Sequence, residues 1–208
     1  MTKNESNPKS ITLVIASKNV HKIREMKSIL SSIKQLDILS LLDFPNYTPP
    51  EEDINSFKEN AITKAMHAAE KLNHWVIADD SGLIVPAINN EPGISSARYA
   101  GEKATDKDNR KKLLDRMKHL LDNDRAASFE CCVALASKEG LQKCSCASCE
   151  GHIIDKEKGG DGFGYDPLFV KHEYNKTFAQ LSSDVKNRIS HRKKALDKIL
   201  FAIEYIVN

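Results

Sequence analysis

The spacing of hydrophobic and polar positions changes repeatedly along this chain, and those changes divide it into elements. "ITLVIAS" (residues 11–17) is short, apolar and β-branched, and reads as a buried strand. In "KIREMKSILSSI" the residues Ile23, Met26, Leu30 and Ile33 recur at helical spacing, so the fold opens with a strand, a turn and a helix. A second helix is predicted in "SFKENAITKAMHAAEKL", where Phe57, Ala61, Ala65, Ala68 and Leu72 make one apolar stripe and Ser56 with Glu59 match the S-x-x-E capping box. Asn60 and Lys64, four residues apart, share another face of it. "WVIADDSGL" (75–83) is a strand that runs into two carboxylates, with Ser81 and Gly82 expected to turn the chain before a further extended piece, "LIVPAI".

Farther on, a charged helix is predicted around residues 106–122, with Leu113, Leu114, Met117, Leu120 and Leu121 facing inward and the charges solvated. "ASFECCVALAS" and "LQKCSCASCEGHII", joined at "KEG", read as a hairpin. Leu196, Ile199, Leu200, Ile203 and Ile206 mark a closing amphipathic helix. No repeat or linker divides the chain, which predicts a single α/β domain over residues 11–208, with room for two lobes, behind a flexible segment of residues 1–10.

Composition narrows what such a unit does. The 208 residues are 40% hydrophobic, enough for one substantial core, and 31 Lys plus Arg against 29 Asp plus Glu leave a net charge of +2. That balance provides no broad field to hold nucleic acid or an anionic membrane, so any polyanion must be small and met locally. The polar start "MTKNESNPKS" has no apolar core of a signal peptide and no run approaches a bilayer span, which leads to the expectation of a soluble cytoplasmic protein. Five cysteines, three of them in "CSCASC", lack a second half at zinc-finger spacing and are read as reduced thiols along a strand.

Four stretches are candidates for chemistry. "SKNVHK" (Ser17 to Lys22) stands between the first strand and its helix, where free backbone N–H groups favour an anion; the same turn is also explained by Asn19 as a cap. Carboxylates of Glu51, Glu52 and Asp53 have the oxygen chemistry for Mg²⁺ if they converge with Asp79 and Asp80. Strand pleating sends Asp79 and Asp80 to opposite faces, so they are expected not to address one ligand. "GGDGFGYDP" combines glycines with the flat rings of Phe163 and Tyr165 and the acceptor Asp166, a pattern that suits a stacked base or simply a tight turn. "KNRISHR" crowds Lys186, Arg188, His191 and Arg192 into seven residues, as donors for an oxygen-rich ligand or as a solvated helix start.

In order, "SKNVHK", "SFKENAITKA", "ADDSGL", "PGISSARYAG", "GFGYDP" and "KNRISHRKKAL" resemble the dITP/XTP pyrophosphatase (Ham1-like) family over about residues 11–197. The first loop departs from it by having His21 where the family commonly places Gly. The resemblance implies a two-lobed α/β fold around a long mixed central sheet flanked by helices, with a nucleotide in the cleft between lobes. It implies hydrolysis of ITP, dITP or XTP to monophosphate and pyrophosphate with Mg²⁺, by a homodimer. By the same resemblance Ser17, Lys18, Asn19, Val20, His21 and Lys22 would hold phosphates, Asp80 would be catalytic, and Asp80 with Glu51 would meet the metal. Ser81 would touch substrate, Phe163, Gly164, Tyr165 and Asp166 would frame the base, and Lys186, His191 and Arg192 would complete the pocket. The rival reading is a catalytically silent sensor of purine nucleotides using the same pocket, and a weaker one is an RNA-binding module on the "SHRKK" patch.

Overall fold

The structure, a computed structural model, describes residues 10–50 and 56–207. Strand β1 (Ile11–Ile15) is followed by helix α1 (Val20–Leu30), edge strand β2 (Leu36–Ser40), helix α2 (Phe57–Leu72) and strand β3 (Trp75–Val85). Next come the two-residue β4 (Glu91–Pro92), helix α3 (Asp106–Arg116), the long hairpin β5 (Ala126–Ser137) and β6 (Gly140–Ile153), and β7 (Phe169–Lys171). Three short helices close the chain: α4 (Ser183–Ile189), α5 (His191–Asp197) and α6 (Leu200–Val207). The strands form one mixed sheet in the order β2-β1-β3-β5-β6-β7, with β4 on β3. β1 runs parallel to β2 and β3, and the remaining pairs are antiparallel.

Alternation along the strands decides which helix covers which face. Leu13, Ile15, Ile77, Val133 and Leu135 pack under α1, α5 and α6 through Ile23, Met26, Leu30, Leu196 and Ile203. The residues between them, Val14, Val76, Ala78, Ala134 and Ala136, meet α2. There the predicted stripe of Ala61, Ala65 and Ala68 is fully buried. Small side chains let that helix lie close to the sheet, and its ends match the sequence signals, Ser56 capping Glu59 N–H and Asn73 closing the helix in the left-handed region. A third cluster, built on Leu83, Leu113, Met117, Phe129, Phe169 and Phe178, fills the other half of the molecule. The result is the expected mixed α/β architecture, a central sheet flanked by helices.

Several local expectations are corrected. β3 does not turn at Ser81 and Gly82 but stays extended through Val85, nine of its residues pairing with β5. Gly82 is needed for close approach instead: a Cβ there would lie 2.4 Å from the Gly93 carbonyl oxygen and 2.6 Å from Ser96 Oγ. Helix α3 ends at Arg116, and Leu121 is 74% exposed rather than packed inward. Arg125 explains the early ending, because its guanidinium donates to the carbonyls of Met117 and Leu120 and to those of Ile153 and Ile154, drawing the chain off the helix axis toward β6. The closing helix marked by Leu196 to Ile206 is interrupted between Asp197 and Leu200, where α5 ends and α6 begins, and before it the chain breaks at Ser190, whose extended backbone ends α4 and whose hydroxyl accepts from Lys193 N–H at the start of α5. The cysteines are not all free thiols either: Cys132 and Cys146, directly opposed on β5 and β6, form a disulfide, while Cys131, Cys144 and Cys149 are free.

Candidate functional site

β1 ends at Ile15, and its pairing with β3 ends at Ile77. β4 joins the same side of β3 only at Ile84. Between those points the edge of β3 has no strand neighbour among the described residues, and a cleft of about 370 Å³ opens there, at the carboxyl ends of parallel strands. Asp79, Asp80, Ser81 and Gly82 all line it. The two aspartates therefore border one cleft, although they stand on opposite faces of the strand. Pleating does send them to opposite sides of the sheet, but the missing neighbour lets one cleft reach both sides of the strand.

Asp79 is the anchor of a buried charge network. Its Oδ2 accepts from Arg192 Nη2 at 2.9 Å and Nε at 3.2 Å, and lies 3.1 Å from Lys22 Nζ. Burial works against that charge, but Lys22 and Arg192 outweigh it and hold the Asp79 carboxyl far below the usual carboxylate range. Arg192 also donates to Ser81 Oγ at 3.0 Å and is paired with Glu25. Glu25 accepts in turn from Lys186 at 2.6 Å, and its own carboxyl is lowered by the Arg192 and Lys186 charges against the cost of burial. Lys186 reaches Asp166 Oδ2 at 2.5 Å. Three carboxylates and three cations are thus interleaved on α1, β3, α4, α5 and the loop before β7. The reading of Lys186 and Arg192 as a solvated helix start fails, since they are 5% and 1% exposed.

Asp80 faces α2. Its Oδ2 accepts from Asn60 Nδ2 and its Oδ1 from Lys64 Nζ, both at 3.0 Å. Asn60 and Lys64 are one helical turn apart, which is why both reach the same carboxylate. A carboxylate has about four acceptor sites, so two such bonds orient Asp80 and leave capacity toward the cleft.

Loops complete the walls. Ser17, Lys18, Asn19 and Lys22 line the cleft, and the Asn19 carboxamide accepts from the N–H groups of His21 and Lys22, so the capped-turn reading of this stretch also holds. Val20 and His21 do not line it; Val20 is half exposed, and the exposed His21 ring stacks on Phe163 at 5.3 Å. Phe163, Gly164, Tyr165 and Asp166 line the cleft as well. Asp166 accepts from Phe163 N–H at 2.8 Å and would collide with any Cβ at residue 162, whose φ is +79°, so Gly162 is required by that turn. Tyr165 is buried and donates its hydroxyl to the Ser96 carbonyl, holding the loop instead of offering a face for stacking. Phe163 is the partly exposed ring, with Lys186 Nζ 4.8 Å from its centre.

His191 is buried and stacks on Phe129 at 4.8 Å, with Nδ1 lacking a partner. Desolvation, with Arg192 and Lys186 nearby, keeps the imidazole neutral by lowering its pKa well below the ordinary value. Glu51 lies outside the described residues, and among those described no group of three or more His, Cys, Asp or Glu is placed to hold a metal. Sequence reasoning missed Glu25, Asn60 and Lys64, and also Ser96 and Asp106, which line the cleft, Asp106 accepting from Gly164 N–H at 2.7 Å. The only advance signal was the shared face of Asn60 and Lys64; Glu25 looked like one more charge on a solvated helix.

The Ham1 family profile matches residues 13–202. The dITP/XTP pyrophosphatase of Protochlamydia amoebophila is 53% identical over 193 residues, covering 92% of this chain and 97% of that one. The dITP/XTP pyrophosphatase of Chlamydia caviae is 55% identical over 188 residues, covering 90% and 91%. Among solved structures, the Staphylococcus aureus Ham1 protein superposes with a TM-score of 0.80 at 40% identity, covering 93% of this chain and 98% of that one. The Coxiella burnetii HAM1 protein gives 0.82 at 36% identity, covering 94% and 99%.

Proposed function

The chain belongs to the Ham1 family, and from that premise we propose that it hydrolyses non-standard purine nucleoside triphosphates, dITP, ITP and XTP, to the monophosphate and pyrophosphate. The observation that carries this reading is one cleft lined by a held carboxylate, several cations and an aromatic ring. Asp80, Lys22 and the start of α1 line it together with the Phe163 ring and the donors Lys186 and Arg192, and Lys22 and Arg192 meet on the same Asp79 oxygen.

Asp80 is the proposed catalytic carboxylate, accepting a proton from the water that attacks the α-phosphorus. Asn60 and Lys64 fix its orientation, so little reorganisation is needed when that proton moves. Lys22 shifts from Asp79 toward phosphate oxygens as the triphosphate enters, and Lys18 with the N-terminus of α1 adds further positive potential. Attack at that phosphorus releases pyrophosphate as one piece, which distinguishes this reaction from terminal phosphate hydrolysis.

The donor set also fits Mg²⁺, because the free acceptor capacity of Asp80 is hard oxygen chemistry facing a phosphate subsite. Asp80, with Glu51 from the preceding acidic stretch, would hold the ion. When bound, Mg²⁺ neutralises the charge that develops on the phosphate oxygens.

Selection of the base follows from hydrogen-bond polarity. Hypoxanthine and xanthine carry an oxygen acceptor at C6, which the donors Lys186 and Arg192 satisfy, while Phe163 provides the stacking face. Adenine presents an amino group there and would set donor against donor in a buried site. The proposal extends to a cytoplasmic homodimer, carried by the family resemblance and checked by sedimentation and cell fractionation.

Incubation of the protein with ITP and Mg²⁺ should release pyrophosphate and IMP in equal amounts. Orthophosphate as the sole phosphate product would overturn the reading, and nucleotide binding without any product would return the choice to a silent sensor.

A further inference from the structure

The cysteines of "CSCASC" play no part in the proposed reaction, yet the fold arranges them closely. Cys132 on β5 and Cys146 on β6 occupy directly opposed positions in an antiparallel ladder of twelve pairs. Both lie on the α2 face of the sheet, since Cys132 packs with Ala61 and Ala65 of that helix. In the adjoining ladder Cys132 is also directly opposite Asp80. Cys146 is exposed, whereas Cys131 and Cys149 are enclosed and Cys144 is held two residues from Cys146 along the strand.

We propose that Cys132 and Cys146 form a reversible redox cross-link in the strand next to Asp80, with low-molecular-weight disulfides as the oxidising class and small thiols as the reducing class. The ladder on either side of the pair fixes the register by backbone hydrogen bonds, so the two thiols stay opposed when the bond is open. Closure therefore needs no change of fold. Cys146 is the exposed partner, and its thiolate attacks one sulfur of a small disulfide, releasing one small thiol and leaving a mixed disulfide. The Cys132 thiolate then attacks the Cys146 sulfur and expels the second small thiol. Two protein thiols are oxidised, one small disulfide is reduced to two thiols, and the two protons pass to solvent or to the departing thiolates. Opening runs the same steps backward.

The consequence is mechanical. The closed bond joins positions 14 residues apart and constrains the unfolded chain, which raises stability. It acts where β5 is sandwiched between the strand of Asp80 and β6.

The test equilibrates the purified full chain with oxidised glutathione or with dithiothreitol, then alkylates under denaturing conditions and maps peptides by mass. Three of the five cysteines should alkylate after oxidation and all five after reduction, with the linked peptides containing Cys132 and Cys146. Melting of the oxidised wild type and of C144A should be higher than that of their reduced forms by roughly 4–10 °C, and C146A should melt at one temperature in both buffers. Five alkylatable cysteines after oxidation, a linkage through any other pair, a bond that survives dithiothreitol in the folded protein, or equal melting of the two wild-type forms would each overturn the proposal. The peptide map of the wild type decides the pairing even if a variant does not fold.

Discussion

Replacing Arg192 with Met tests the charge network that supports the cleft. The side chain is 1% exposed, donates twice to Asp79 Oδ2 and once to Ser81, and pairs with Glu25. Met has similar length and no charge, so the change removes the pairing while filling most of the space. Two carboxylates then remain buried with one lysine each, Lys22 for Asp79 and Lys186 for Glu25. Breaking one partner out of a buried ion pair typically costs about 3–5 kcal/mol, and for a domain of this size that is a fall in melting temperature of roughly 6–20 °C.

The pH dependence has a definite sign. The folded-state pKa of Asp79 is depressed, so its contribution is fully present above the unfolded value of about 3.9 and is lost as pH falls toward the folded value. Glu25, also lowered, behaves alike. In the variant both carboxyls lose the Arg192 charge and that contribution shrinks. Urea denaturation of wild type and variant should therefore show the full gap at pH 7 and a gap smaller by roughly 1–2 kcal/mol at pH 3. A difference under about 1 kcal/mol at pH 7, or one that does not narrow at pH 3, would refute the assignment of these groups as mutually stabilising charges.

Other outcomes are expected for the same cleft. Asp80→Asn should lower kcat for ITP by at least about 10²-fold while binding measured by calorimetry survives; near-normal turnover would show that another carboxylate is used. Gly82→Ala should destabilise the protein by roughly 1–3 kcal/mol, because its methyl group meets the Gly93 carbonyl and Ser96, and an unchanged denaturation midpoint would contradict that close approach. Phe163→Ala should raise KM for ITP by roughly 5- to 100-fold through lost stacking, with equal KM values counting against a base at that ring. Chelation of divalent ions should stop pyrophosphate release, read by direct pyrophosphate assay, and restored turnover on adding Mg²⁺ should follow.

How far the site was legible in the sequence depended on the range of the interactions. The turn at Ser17 to Lys22, the Asn19 cap and the aromatic glycine loop were visible because each is built from neighbours in the chain. The roles of the DD pair were only half visible. Alternation correctly divided Asp79 from Asp80, but whether one cleft reaches both depends on where β1 stops beside β3, a fact about a strand more than 60 residues away. Glu25 and Arg192 are separated by 167 positions, and on each helix they look like ordinary solvated charge until the two helices pack together.

The sequence by itself determined the element types, the faces that α2 and the main strands bury, and the family, because period, capping and motif order are local properties of the chain. Tertiary structure alone decided that Asp79 is a buried anchor for Arg192 and Lys22, that Asp80 is held from α2, and that Cys132 meets Cys146. Those outcomes depend on which groups lose water together and which strands lie side by side, and both are set by long-range packing.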